Sequence, residues 1–313
     1  MSHRFLIIGC GSAGERHLKN LQLLGVECYV YDRDVERMKK LTLKYKVPVY
    51  DFASHHLKMD AWIICTPPSS HILFAEEALS HDSNIFIEKP LSNTLDRVDD
   101  VIAKVKSQKK ILMIGYQFRF NEALKHIKSL IEKGEIGRVM CIRAEIGQDL
   151  RDWHPEEDYR NLYTCETGIV SDASHEIDYV RWLTNSDVVE TQGMCGKLSD
   201  LEMVAEDTAE INMRFENGII ANVHLDCTQR AYSRWCEVIG TKGTLKWTYP
   251  NQVICTYSNE IDTSFRTFPN NDMYLAEMQH FINCTEGKEK PIVDGEVGKR
   301  VLEICLKAKG ELK

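Results

Sequence analysis

None of the 11 cysteines in this 313-residue chain falls in a Cys-x-x-Cys pair. The ligand spacing of a structural zinc site is therefore missing, and no metal is expected. The cysteine count is odd, and Cys10, Cys65, Cys141 and Cys236 lie within or beside apolar runs. They read as small buried hydrophobes in a reducing compartment. No stretch approaches the ~20 apolar residues of a membrane span. The opening Met1-Ser2-His3-Arg4 leads into an apolar run too short for a secretory signal. A cytoplasmic location with no membrane partner is expected. Positive charge is not in excess: 39 Lys and Arg stand against 47 Asp and Glu, a net charge of −8. That balance argues against nucleic acid as a partner. Pro-rich, Gly/Ser-rich and repeated segments are absent too, which excludes a disordered or solenoid chain.

What is present is an ordinary globular composition, 43% hydrophobic and 27% charged, at a length that favours two domains. Up to about residue 120 short apolar strands alternate with helical stretches. Strands are expected at 5–8, 28–31, 61–65, 85–87 and 111–114, with helices at 14–24, 35–45, 70–80 and 98–108. This rhythm implies βαβ units and a parallel sheet. After about residue 135 longer strands follow at 139–147, 188–198, 208–215, 219–226, 235–240 and 244–249. Several alternate apolar and polar residues, and Asn217-Gly218 and Lys242-Gly243 are hairpin turns. The expected architecture is α/β. An N-terminal doubly wound parallel sheet occupies 1–120. A C-terminal α+β domain with a large, mostly antiparallel sheet occupies 121–313, its last helix packing back on the first domain. The alternation in 208–215 and 219–226 leaves an apolar face that few helices in this half can cover. A homodimer or homotetramer through that sheet is expected.

Gly9-Cys10-Gly11-Ser12-Ala13-Gly14 follows the first strand and opens the first helix. In that context G-x-G-x-x-G is the fingerprint of a dinucleotide-binding Rossmann domain. Gly9 permits the tight turn, Gly11 lets the backbone approach a diphosphate, and Gly14 lets helix and strand pack closely. The diphosphate would sit on N–H groups at the helix N-terminus. A Walker A loop is excluded, because Glu15-Arg16 stands where Lys-Ser/Thr is needed. Asp32 ends the second strand, 18 residues after Gly14. A carboxylate there accepts adenosine ribose hydroxyls and repels a 2′-phosphate, which favours NAD over NADP. Arg33 beside it pulls the other way.

Glu88-Lys89-Pro90 directly follows an apolar strand. A lysine at the carboxyl end of a parallel strand faces the crevice where such folds bind ligands. An exposed loop lysine is the plainer alternative. In order along the chain, Gly9-x-Gly11-x-x-Gly14, Thr66-Pro67-Pro68-x-x-His71, Glu88-Lys89-Pro90 and Gly115-Tyr116-Gln117-x-Arg119-Phe120 resemble the Gfo/Idh/MocA family of sugar and cyclitol dehydrogenases. The resemblance continues through Asp172-x-Ser174-His175-Glu176-Ile177-Asp178 and Gly240-Thr241-Lys242-Gly243. It implies that Lys89 lies near the nicotinamide and the substrate. It also implies a cofactor site drawn from Gly9, Gly11, Ser12, Ala13, Gly14, Asp32, Arg33, Thr66, Pro67, His71, Glu88, Lys89 and Gln117.

The motif in the second half reads as a helix over 173–183, capped or preceded by Asp172. Asp172 and His175 are three apart, so on one helix they share a flank. An acid beside a histidine fixes its tautomer, which suits a proton acceptor for a hydroxyl being oxidised. A helix cap with a surface histidine is the bland alternative. His-Glu-x-x-His zinc chemistry is excluded, since Tyr179 holds the second histidine's place. Many family members place the histidine four residues after the acid, and here Ser171 falls at that position. The variant resembles members from nucleotide-sugar and nonulosonic-acid gene neighbourhoods, as do Trp153-His154-Pro155 and Asp158-Tyr159-Arg160. Asp172 is thus catalytic or structural. The expected activity is NAD-dependent oxidation of a secondary alcohol of a sugar or nucleotide-sugar. Lys89 and His175 handle the proton, and which of them is the base is left open. A non-catalytic, dinucleotide-sensing regulator on the same fold is the alternative.

Overall fold

A computed structural model describes residues 3–52, 57–153, 168–250, 252–257, 260–265 and 272–312. His154, Pro155, Asp158, Tyr159 and Arg160 lie outside the described residues. Two compact units emerge. One is Met1–Gln117 with Asn271–Arg300, and the other is Phe118–Asn270 with Val301–Lys313.

The first unit alternates β1 (Arg4–Ile8), α1 (Ser12–Leu23), β2 (Glu27–Tyr31), α2 (Val35–Tyr45), β3 (Ala61–Ile64), α3 (His71–Ser80), β4 (Asn84–Glu88), α4 (Val98–Ser107) and β5 (Leu112–Gly115). The five strands pair in parallel in the order β2-β1-β3-β4-β5. Parallel pairs need helical crossovers that cover both faces, so the central strands are apolar throughout. Phe5, Leu6, Ile7, Ile63, Ile64, Ile85, Phe86 and Ile87 are at most 1% exposed. Helix boundaries follow local chemistry. The Asp34 side chain accepts from the Glu36 and Arg37 N–H groups to start α2, and Lys46 ends it in the left-handed region at φ 51°.

The second unit contains α5 (Glu122–Glu132), β6 (Val139–Gly147), α6 (Leu150–Trp153), α7 (Ile169–Asp172), α8 (Ser174–Thr184), β7 (Val188–Gly196), β8 (Thr208–Phe215), β9 (Ile220–Asp226), β10 (Ser233–Gly240), β11 (Gly243–Thr248), β12 (Gln252–Tyr257) and β13 (Glu260–Phe265). The strands form one eight-stranded sheet, β13-β12-β11-β10-β6-β9-β8-β7. Every pairing is antiparallel except β6 with β9.

Three expectations need correction. The apolar face of this sheet is not left open. Ala209, Ile211, Met213, Phe215, Ala221, Val223 and Leu225 of β8 and β9 are at most 1% exposed, and α7 and α8 pack on these strands. The opposite face carries Glu210, Asn212, Arg214 and His224. The helix expected over 173–183 is two helices, broken at Ala173 (φ −92°, ψ 24°), with Asp172 at the end of α7. Residues after 120 do not all belong to the second unit. The chain returns to the first with α9 (Asp272–Thr285), whose Phe281 ring packs edge-on to Phe5 and Phe86 at 5.8 and 5.5 Å. The last helix, α10 (Gly295–Ala308), is divided, with its first residues in the first unit and its remainder in the second.

Candidate active site

In the first unit the carboxyl ends of five parallel strands share one edge. β1 delivers Gly9 there, β2 Asp32, β3 Thr66, β4 Glu88 and Lys89, and β5 Gly115 to Gln117. The glycines are demanded by space. Gly9 turns at φ +96°, and a Cβ on it would lie 2.6 Å from the Cys65 carbonyl oxygen. A Cβ on Gly14 would lie 1.9 Å from the Gly9 carbonyl oxygen, so helix and turn close only without a side chain. Gly11 is different: nothing lies within 4 Å of a Cβ there. It opens α1 with no side-chain cap, followed by exposed Ser12 and half-buried Ala13. An uncapped helix N-terminus under open space is a cradle for an anion.

Asp32 is half-buried and Arg33 is exposed. The Cys10 N–H donates to Asp32 Oδ2 at 2.6 Å, and the Asp34 N–H donates to Oδ1 at 2.8 Å. The carboxylate is thereby fixed to the glycine loop, and each oxygen keeps lone-pair capacity for a hydroxyl donor. These residues fit a dinucleotide, with diphosphate at the uncapped turn and ribose at Asp32.

The loops after β3 and β4 are tied together by His71, which is 1% exposed. Its Nε2 lies 2.7 Å from the Thr66 carbonyl oxygen and its Nδ1 2.9 Å from that of Pro90. Burial lowers its pKa, and the carbonyl acceptors oppose that shift. His71 therefore acts as a strut beneath Thr66-Pro67 and Lys89-Pro90. Glu88 is also turned inward. Its Oε1 accepts from His17 Nε2 at 2.6 Å, and its Oε2 accepts from the Lys89 N–H at 3.1 Å. Burial pushes its pKa up, but the His17 hydrogen bond and the charges of His17, Lys89 and Arg16 more than offset this, so it stays below the usual value. Gln117 donates from Nε2 to the Tyr274 hydroxyl at 3.1 Å, and the Arg16 guanidinium stacks 4.4 Å over the same ring. His17, Arg16 and Tyr274 were not singled out from the sequence. For His17 a signal existed, since it shares the apolar stripe of α1 with Gly14, Leu18 and Leu21.

In the second unit α8 is held on two flanks by arginines. Glu176 takes two hydrogen bonds from Arg234 of β10, at 2.7 and 3.1 Å. Asp178 takes two from Arg119, both at 2.7 Å. All four side chains are buried to within 12% exposure. The Phe118 ring packs edge-on to His175 at 5.2 Å, and the Arg234 guanidinium covers that ring at 4.3 Å. His175 is 6% exposed, at the first turn of α8. Asp172 precedes the break at Ala173 and does not share a continuous helix with it. Burial, and after it charges that include Asp172, raise the nearby Cys227 thiol to about 12. Arg234 is the residue that sequence reading missed here, and for Arg119, which belongs to the 115–120 motif, it missed the pairing with Asp178. Their partners are distant in sequence, and only the fold joins them.

Known proteins resemble both parts of the chain. Residues 3–116 match the model of an oxidoreductase family with an NAD-binding Rossmann fold, and residues 124–246 match a GFO/IDH/MocA C-terminal domain. An uncharacterised oxidoreductase, YrbE, of Bacillus subtilis is 31% identical over 76% of this chain and 71% of its own length. A myo-inositol 2-dehydrogenase of Thermotoga maritima is 28% identical over 99% of this chain and 96% of its own. Among solved structures, UDP-N-acetylglucosamine 3-dehydrogenase GnnA of Acidithiobacillus ferrooxidans superposes with a TM-score of 0.84, at 20% identity, covering 100% of this chain and 98% of that one.

Proposed function

The chain belongs to the Gfo/Idh/MocA family of NAD-binding oxidoreductases, and we propose that it oxidises a secondary alcohol of a sugar, cyclitol or nucleotide-sugar. One observation carries this reading: Asp32 and Lys89 flank the glycine loop on opposite sides along a single strand edge. Asp32 is one strand to one side, and Lys89 is two strands to the other, roughly 10 Å at the usual strand spacing. With the ribose at Asp32 and the diphosphate at Gly11, the rest of an extended dinucleotide runs over β3 toward Lys89. Bound NAD supplies the hydride acceptor.

The protein's own groups then bind, orient and move a proton. Lys89 and His175 are the two proton-handling side chains. One accepts the hydroxyl proton, and the other stabilises the developing alkoxide or orients the substrate. A lysine has an ordinary pKa near ~10.4, so a base role asks for a lowered value, whereas alkoxide stabilisation does not. Asp172 is proposed only as an electrostatic neighbour in the second unit. Inositol dehydrogenases among the relatives and a nucleotide-sugar dehydrogenase among the structural neighbours bracket the substrate class. Self-association through the eight-stranded sheet, as a homodimer or homotetramer, belongs to the same proposal, and sedimentation as a strict monomer at micromolar concentration would remove it.

Screening cyclitols, free sugars and nucleotide-sugars for NADH formation tests the activity. Turnover of one class is the expected result. NAD binding with no turnover anywhere in the panel favours a dinucleotide-sensing regulator.

A further inference from the structure

We propose that His17 is a positioning residue for Lys89, acting through the Glu88 carboxylate. The inference rests on the assignment of Lys89 to proton handling. His17 sits in α1, 0% exposed, with its ring edge-on to Phe86 at 5.1 Å. Its Nε2 and Glu88 Oε1 are 2.6 Å apart. An ionised carboxylate only accepts, so Nε2 carries the hydrogen and donates. His17 Nδ1 is buried with no hydrogen-bond partner among the described residues. A polar nitrogen left unsatisfied in an apolar interior costs free energy, and a leucine there would avoid the cost. The contact that compensates is the one to Glu88.

Glu88 in turn spends its second oxygen on the Lys89 backbone N–H, at 3.1 Å. Gly115 at the end of β5 makes room for it, since a Cβ there would lie 3.3 Å from Glu88 Oε2. On the far side of Lys89, the Pro90 carbonyl is engaged by His71 Nδ1 at 2.9 Å. The tripeptide Glu88-Lys89-Pro90 is thus gripped from both ends by buried imidazoles, one on α1 and one on α3. His17 joins the helix that cradles the diphosphate to the loop that carries the lysine. Without it, the carboxylate has no donor at Oε1 and can rotate outward, releasing the Lys89 N–H. A displacement of about 1 Å in a reacting group can cost on the order of 10²-fold in rate.

The test uses the full chain, labelled with ¹⁵N-lysine, with Lys89→Met assigning the Lys89 amide. In His17→Ala this amide is expected to shift and to exchange with solvent about ten-fold faster or more, as an amide freed from a carboxylate does. The other lysine amides should hold their positions. His17→Gln, which restores a donor, should return the amide toward its original position. His17→Leu, which fills the space without a donor, serves where the alanine variant fails to fold. With myo-inositol and UDP-N-acetylglucosamine as substrate probes, kcat should fall about ten-fold or more in the donor-less variants while KM and NADH affinity stay near the parent's. A Lys89 amide unmoved in both His17→Ala and His17→Leu overturns the inference, whatever the turnover. A displaced amide together with full turnover in Lys89→Met overturns the catalytic assignment of Lys89 instead, and the two failures are distinct.

Discussion

Arg234 of β10 grips Glu176 of α8 through Nε at 2.7 Å and a second nitrogen at 3.1 Å, with the Glu176 side chain fully buried. Burial works against the Arg234 charge, and Glu176 more than offsets it, holding the arginine's pKa above its ordinary value. The pair anchors the helix turn that carries His175. Removing one partner leaves the other charge uncompensated, at a cost of about 3–5 kcal/mol. Glu176→Ala should therefore lower the chemical-unfolding midpoint markedly. The double variant Glu176→Leu/Arg234→Met should recover much of the loss. Equal midpoints for the parent and Glu176→Ala would show that the pair is not a structural anchor.

Cofactor preference should follow Asp32. Its carboxylate is held by the Cys10 and Asp34 N–H groups, and under the proposed function it accepts ribose hydroxyls from that fixed position. Hydrogen bonds to a charged group contribute about 1.5–3 kcal/mol, so Asp32→Ala should weaken NADH binding by roughly ten-fold or more. NADPH should gain relative to NADH, because the repulsion of its 2′-phosphate is gone. Separate fluorescence titrations check this. NADPH binding as tight as NADH in the parent would mean that Arg33 outweighs the carboxylate.

His224 of β9 should give the protein a pH-dependent increment of stability. Its ring lies 3.1 Å from Asp226 and 2.7 Å from Glu210. The Asp226 hydrogen bond is the main cause of a pKa raised to about 9, with burial opposing and Glu210 adding to the rise. A folded pKa above the unfolded value of about 6.5 stabilises the charged form. The contribution is full below pH ~6.5 and is lost as pH rises through about 9. The parent should thus be more stable than His224→Gln at pH 6, and the gap should shrink by pH 10. Melting curves across that range that run parallel would contradict it.

The sequence made the first unit legible because its signals are local. Short doubly apolar strands, a glycine loop and a lysine after a strand each announce themselves within a few residues. Strand β1, expected at 5–8, runs Arg4–Ile8, and the expected 208–215 strand is Thr208–Phe215. What was not legible depends on partners. Helix α9 went unread, and a periodic stripe such as Met278, Phe281 and Ile282 does not say which core it will cover. The break at Ala173 was hidden because both flanking segments keep helical spacing. The contacts of His71 with the Thr66 and Pro90 carbonyls, and of Glu88 with His17, could not be read from the sequence, because they join segments that only the fold brings together.

The central claim is that Lys89 handles the proton or the alkoxide of the reacting hydroxyl. Its most direct measurement is Lys89→Met, assayed for NADH binding and for turnover of the substrate that the screen identifies. NADH affinity should stay close to the parent's, because the uncapped turn at Gly11 and the Asp32 carboxylate are untouched. Turnover should fall by about 10²-fold or more, the usual scale for a positioned acid–base group. A Lys89→Met protein that binds NADH normally and turns over at the parent rate would contradict the account.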